Sequence, residues 1–173
     1  MSIVIDVDVR SATPADAAGI VRVQTVSVRA YGTDHYDDEQ LRHLAPADAS
    51  SEDVRDNLLG EDRYAVVAED DGTVVGFGGV RLTDGALLGV FVDPKYGGEG
   101  IGTAILERIE VRAREIGLET LSVFGTLNAT GFYEARGFEP IGRRDANSAE
   151  GLVGNYDAGE RCLPVVELQK SIS

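Results

Sequence analysis

The sequence predicts one α/β (α+β) domain over residues 1–173: a mixed, mostly antiparallel sheet of six to seven strands, flanked by helices. Three observations predict it. Residues 63–92 hold three apolar segments joined by Asp/Gly turns, the pattern of an antiparallel meander. The third segment runs into Pro94, then Gly97, Gly98, Gly100 and Gly102, and then into apolar residues at helical spacing. A strand signal at Thr120 to Phe124 follows that helix, and a helical crossover makes it parallel to Leu87–Val92.

Taken in order, Val4 to Arg10 alternates apolar and polar side chains and reads as an edge strand. Thr13 or Ser11 caps the next helix and Pro14 suits its first position. Ala17, Ile20, Val21, Gln24 and Val28 carry that helix to about Ala30. Tyr31 to Tyr36 is a polar turn. Asp37-Asp38-Glu39 opens a second helix, with Leu41 and Leu44 inward, His43 on the solvent side and Pro46 past its end. Asp53 to Leu59 is a third helical piece, closed by Gly60.

Arg63 to Glu69 is a strand, Asp70-Asp71-Gly72 a hairpin turn, and Thr73 to Leu82 the returning strand. Gly76, Gly78 and Gly79 interrupt it, which implies either a bulge or a close approach to its backbone. Thr83-Asp84-Gly85 turns into Leu87–Val92, and Pro94 ends that strand by removing a donor. A long helix runs from about Gly98 to Ile116, with Ile101, Ile105, Ile109 and Ala113 on one face, and stops at Gly117. A short helix over Asn128–Arg136 closes at Gly137. Phe138 to Gly142 is a strand, Asp145 to Gly159 a polar loop and Leu163 to Leu168 a closing strand.

Composition narrows the function classes. No apolar run approaches the ~18 residues of a membrane span, and the acidic opening residues argue against a signal peptide. The formal net charge of −14 is spread along the chain, which argues against nucleic acid and anionic membrane as partners. Cys162 is the only cysteine, so no internal disulfide is expected and a reducing, cytoplasmic setting fits. Cys162 itself reads as a passive side chain. Two histidines and one cysteine give no metal-ligand spacing. Lys95 and Lys170 are the only lysines, and this acid-rich, lysine-poor balance is that of proteins from salt-loaded cytoplasm. A halophile-like acidic proteome is therefore one expectation, an acidic mesophile protein the other.

A glycine loop feeding a helix N-terminus presents unpaired N–H groups and a positive dipole end, which suits phosphate. Spacing tests which phosphate ligand. The Walker loop needs a Lys-Ser/Thr pair, absent at Ile101-Gly102-Thr103. The dinucleotide fingerprint needs Gly-x-Gly-x-x-Gly/Ala, and its sixth position falls on Thr103 or Ile105. Gly97-Gly98-Glu99-Gly100-Ile101-Gly102 instead resembles the acetyl-CoA loop of the GNAT superfamily of N-acetyltransferases, written Gln/Arg-x-x-Gly-x-Gly/Ala. Gly97 stands where that family has Gln or Arg, and Glu99 where a basic residue is common. Each departure weakens binding by roughly 0.5–1 kcal/mol if exposed. Asn128-Ala129-Thr130-Gly131-Phe132-Tyr133-Glu134-Ala135-Arg136-Gly137-Phe138 resembles the second GNAT signature.

The resemblance implies a GNAT-like sheet whose central parallel pair splays apart, and acetyl-CoA as co-substrate. It implies that the backbone of Val90, Phe91 and Val92 holds the pantetheine arm and points an N–H at the thioester oxygen. The pyrophosphate lies on Gly98 to Thr103 (Gly98, Glu99, Gly100, Ile101, Gly102, Thr103), next to Gly97, and Asn128 bonds the pantetheine or a water. Tyr133 protonates the leaving thiolate as the catalytic acid. Tyr31, Tyr36 and His35 are candidate acceptor contacts, or else pack the helix pair. A carboxylate must deprotonate the ammonium, and Glu69 and Asp84 are weak candidates.

The expected activity is acetyl transfer from acetyl-CoA to a primary amine, of a small molecule or peptide, by direct attack in a ternary complex. The alternative is a non-catalytic acyl-CoA-binding sensor. A homodimer is the family-based expectation for assembly.

Overall fold

The computed structural model describes residues 7–32, 36–44, 52, 60–146, 148–151, 154–157 and 163–173. His35, Pro46, Cys162, the piece from Asp53 to Leu59 and the first residues of the opening strand lie outside the described residues.

Strand β1 is Val7–Ser11. Thr13 then starts a 3-10 turn over Pro14–Asp16 that continues as helix α1, Ala17–Gly32. Asp16 closes the turn by accepting the Thr13 N–H at 2.8 Å. Helix α2, Asp38–Leu44, is capped reciprocally: Asp37 accepts the Gln40 N–H at 2.8 Å, and Gln40 accepts the Asp37 N–H at 2.9 Å.

Strands β2 (Arg63–Asp70), β3 (Thr73–Arg81) and β4 (Ala86–Val92) form the expected meander. Helix α3 covers Ile101–Glu115, a start three residues later than the spacing predicts. The reason is local: Gly98 and Gly100 take φ of 78° and 84°, so the chain is still turning there and Gly100 serves as the cap. Strand β5 (Thr120–Thr126), helix α4 (Thr130–Ala135) and strand β6 (Glu139–Ala146) follow. The polar loop expected from Asp145 to Gly159 is corrected: it holds a small hairpin of β7 (Ser148–Gly151) and β8 (Gly154–Asp157). Strand β9, Leu163–Ser171, closes the fold.

Among the described residues the main sheet has seven strands in the order β1-β2-β3-β4-β5-β9-β6, with β4 and β5 as its one parallel pair and its other pairings antiparallel. Strand β2 is a continuous apolar run because both of its faces are covered. Val66 and Ala68 join Ile105, Leu106 and Ile109 of α3, while Ala65 and Val67 join Ala17, Ile20 and Val23 of α1.

The glycines of β3 serve both purposes the sequence allowed. The β3–β4 register slips between Gly79 and Val80, which leaves Leu88 as an extra residue in β4. On the other face a Cβ on Gly76 would lie 3.1 Å from both Ile101 and Ile105, and one on Gly78 only 2.8 Å from Ile105. Bare backbone at these two positions lets the isoleucine face of α3 settle directly onto the strand.

Candidate active site

The parallel pair is short. Ala86 pairs with Ser122 and Leu87 with Val123, and the Ser122 N–H reaches the Gly85 carbonyl at 3.0 Å. From the bulge at Leu88 onward β4 and β5 part, and among the described residues no further pairing joins them. The alternation of an antiparallel ladder decides which groups the fork exposes. The Asp93 N–H donates to the Val75 carbonyl at 2.8 Å, so Asp93 faces β3, and so does Phe91 two residues earlier. The N–H and C=O of Val90 and Val92 therefore point into the fork. Phe91 contributes its ring instead, stacked on Phe77 with centroids 5.3 Å apart.

The fork opens into a cleft of about 490 Å³. Ser27, Val28, Tyr31 and Gly32 of α1 form one wall, and Val90, Phe91 and Val92 form the floor. Gly97, Gly98, Gly100 and the first turn of α3 close one end, and Thr126, Asn128, Phe132 and Arg136 form the other wall. The first intrahelical bond of α3 runs from the Ala104 N–H to the Gly100 carbonyl at 3.0 Å. The N–H groups of Ile101, Gly102 and Thr103 thus have no helical acceptor and add to the positive dipole end. A phosphate-bearing ligand fits this chemistry.

The loop is fastened from below. Asp93 accepts the Lys95 N–H at 3.0 Å and pairs with Arg22 of α1 at 3.1 Å. Arg22 also donates to the Val74 carbonyl. Burial pushes the Asp93 carboxyl up, but the Lys95 N–H and Arg22 outweigh it and hold it below the usual range.

The four loop glycines have different causes. Gly98 and Gly100 are needed for their backbone angles. Gly97 sits at φ −63° and ψ 145°, open to any residue, but a Cβ there would lie 2.7 Å from the Tyr31 hydroxyl. A Cβ on Gly102 would lie 3.1 Å from the Phe132 ring. Glu99 is exposed and does not line the cleft.

Tyr133 lies in the core, 2% exposed, and is not among the residues lining the cleft. Its ring packs edge-on to Phe132 and Phe138. A Cβ on Gly125 would lie 3.4 Å from that ring, so this glycine makes room for it. Burial pushes the phenol far above its ordinary value, and the nearby N–H of Val90 pulls the other way.

The other tyrosines divide. Tyr31 lines the cleft, at the glycine-loop end. Tyr36 is buried with Val28 and Leu41, and its hydroxyl accepts the Leu127 N–H at 3.0 Å just past the end of β5. Burial raises its phenol, against the pull of Leu127 and the charge of Arg143. Glu69 pairs with Arg10 at 3.0 Å and Asp84 with Arg81 at 2.7 Å, and neither lines the cleft.

Sequence reasoning did not single out Phe132, Tyr96 or Arg136 as cleft residues. Phe132 lies in α4 and Arg136 caps its C-terminal end, and their spacing of four, which puts them on one face, could have flagged them.

This arrangement has counterparts. The acetyltransferase (GNAT) domain model matches residues 32–152. An amino-acid acetyltransferase of Azotobacter vinelandii is 44% identical over 72 residues, which is 42% of this chain and 16% of that protein. One from Pseudomonas putida is 42% identical over 77 residues, 44% of this chain and 18% of that protein. The matched stretch is thus a small part of those longer proteins. Among solved structures, a GCN5-related N-acetyltransferase from Rhodopseudomonas palustris superposes with a TM-score of 0.83 at 24% identity, covering 99% of both chains. The PaiA N-acetyltransferase of Thermoplasma acidophilum, in complex with coenzyme A, gives 0.73 at 17% identity, over 96% of this chain and 99% of that one. The family match runs from the end of α1 through the fork, the glycine loop and α4, and the chain belongs to the GNAT superfamily of N-acetyltransferases.

Proposed function

We infer that the cleft takes acetyl-CoA and passes its acetyl group directly to a primary amine bound alongside it. The observation that carries this reading is the fork: β4 leaves β5 after Leu87 and exposes the main-chain groups of Val90 and Val92. An extended pantetheine arm can pair with that edge as an added strand. Its diphosphate then falls on the open amides between Gly98 and Thr103. Asn128, on the opposite wall, serves the amide end of the arm. Tyr133 donates its proton to the departing thiolate, and burial keeps it protonated for that purpose.

The acceptor we favour first is the α-amine of an amino acid, because proteins named for that activity match this chain over 72 and 77 residues. Holding both reactants in one cleft supplies much of the rate enhancement. Thiol release from acetyl-CoA, followed across a panel of amino acids, polyamines and peptides, tests the reading. Release that depends on an added amine supports it.

A second reading, an acyl-CoA sensor without turnover, draws on the burial of Tyr133 at 2% exposure and on the departures at Gly97 and Glu99. Tight acetyl-CoA binding with no thiol release on any amine would favour it.

A further inference from the structure

Arg136 differs from six other arginines of the chain, and its place in the cleft sets it apart from Arg108, which donates to the Val9 carbonyl outside it. Arg10, Arg22, Arg63, Arg81, Arg112 and Arg114 each lie against a carboxylate. Arg136 lies against neutral acceptors. Its Nε donates to the Thr103 hydroxyl at 2.8 Å, Nη2 donates to the same oxygen, and Nη1 reaches the Phe132 carbonyl at 3.3 Å. The guanidinium sits over the Phe132 ring, 4.5 Å from its centroid. Among the described residues lining the cleft it is also the one cation, and none of them is a carboxylate. In a chain of net charge −14, an un-neutralised guanidinium facing a ligand cleft is a specific feature.

Its location says what it faces. Thr103 is the third residue of α3, on the turn whose N–H groups lack helical acceptors. Stacking and the two bonds to Thr103 fix the plane of the guanidinium beside those amides. A planar fork held in place loses little freedom on meeting a phosphate and can engage two of its oxygens at once. The usual side-chain position of the loop is empty here, because Gly97 has only a hydrogen and Tyr31 occupies the space beyond it.

We propose that Arg136, held by Thr103 and Phe132, is the side-chain ligand of the CoA diphosphate, in place of the Gln or Arg missing at position 97. This rests on the acetyl-CoA reading above. It makes recognition of the donor depend on its diphosphate, so that a phosphate-free pantetheine thioester is poorly held.

Calorimetric titration with three probes tests it: CoA, dephospho-CoA, which lacks the 3′-phosphate, and pantetheine, which lacks every phosphate. Arg136→Gln should weaken CoA and dephospho-CoA alike by roughly tenfold, as expected for losing a charged hydrogen bond, and leave pantetheine unchanged. Arg136→Lys should recover part of the loss, since a lysine restores the charge without the fork. Equal loss on all three probes would overturn the proposal in favour of a packing role. Loss on CoA alone would assign the group to the 3′-phosphate and overturn it as stated. An unaltered affinity in Arg136→Gln, with the parent protein binding CoA, would overturn this inference only. A parent protein that binds none of the probes would overturn the acetyl-CoA reading, and this inference with it.

Discussion

The backbone N–H of Val90 bears on the hydroxyl of Tyr133, so the buried phenol lies beside the open edge of β4. One tyrosine therefore belongs to both the core and the fork. Its ring is held by Phe132, Phe138 and the space over Gly125. Tyr133→Phe should keep that packing and lower kcat by about 10²-fold, with acetyl-CoA affinity changed far less. Stopped-time thiol assays alongside calorimetry would separate the two. Full turnover in the variant would remove Tyr133 from the acid role.

The same residue sets a pH expectation. Burial raises the phenol above its ordinary value, so the protonated form persists through the alkaline range in which a free tyrosine ionises, near pH 10. A rate profile should therefore show no loss of the acid form on approaching that pH. An alkaline limb near pH 9 that vanishes in Tyr133→Phe would contradict this placement.

Gly97 and Tyr31 meet at one end of the cleft. The backbone at Gly97 admits any side chain, but the first carbon would meet the Tyr31 hydroxyl at 2.7 Å. Tyr31 is 43% exposed and can swing aside. Gly97→Gln should thus fold normally while displacing Tyr31. Combined with Tyr31→Ala, it should show a coupling of about 0.5–1 kcal/mol in CoA affinity. Strict additivity in that double-mutant cycle would show that the two positions do not share the space.

Asp16 predicts the acid limb of stability. The Arg10 fork, at 2.8 Å to each oxygen, holds its carboxyl below the usual range, with burial pulling against it. The unfolded chain then takes up the proton first as pH falls. The stabilisation is complete above about pH 4, the ordinary aspartate value, and is lost as pH drops through the lower native value. Asp16→Asn should cost about 1–3 kcal/mol at neutral pH and flatten the dependence below it. Denaturant melts from pH 7 to pH 2 would check both.

A net charge of −14 adds a salt prediction. Screening should raise the melting temperature between dilute buffer and molar KCl, because self-repulsion is relieved. A melting temperature that stays flat across that range would count against adaptation to a salt-loaded cell.

Local patterns were legible because the residues that make them are neighbours in sequence. The apolar run, Pro94 and the glycines gave the strand, loop and helix, and the fourfold spacing from Ile101 to Ala113 named the buried face of α3. The hairpin at 148–157 was missed because Ser-Ala-Glu-Gly and Gly-Asn-Tyr-Asp carry no apolar alternation to mark a strand. The insertion of β9 between β5 and β6 depends on long-range pairing that no local spacing records. The same holds for the site. Thr103 and Arg136 are 33 positions apart, and only the folded chain brings the hydroxyl to the guanidinium.

Two missing methyl groups on β3 also govern the far side of the molecule. With hydrogen alone at Gly76 and Gly78, α3 rides low over the sheet, its isoleucines touching bare main chain. Raising that helix by the width of one carbon would lift its leading turn, with its open N–H groups, away from the edge of β4. On the acetyl-CoA reading, the span the cleft offers between reactive sulfur and charged tail is thereby gauged by two positions outside its lining.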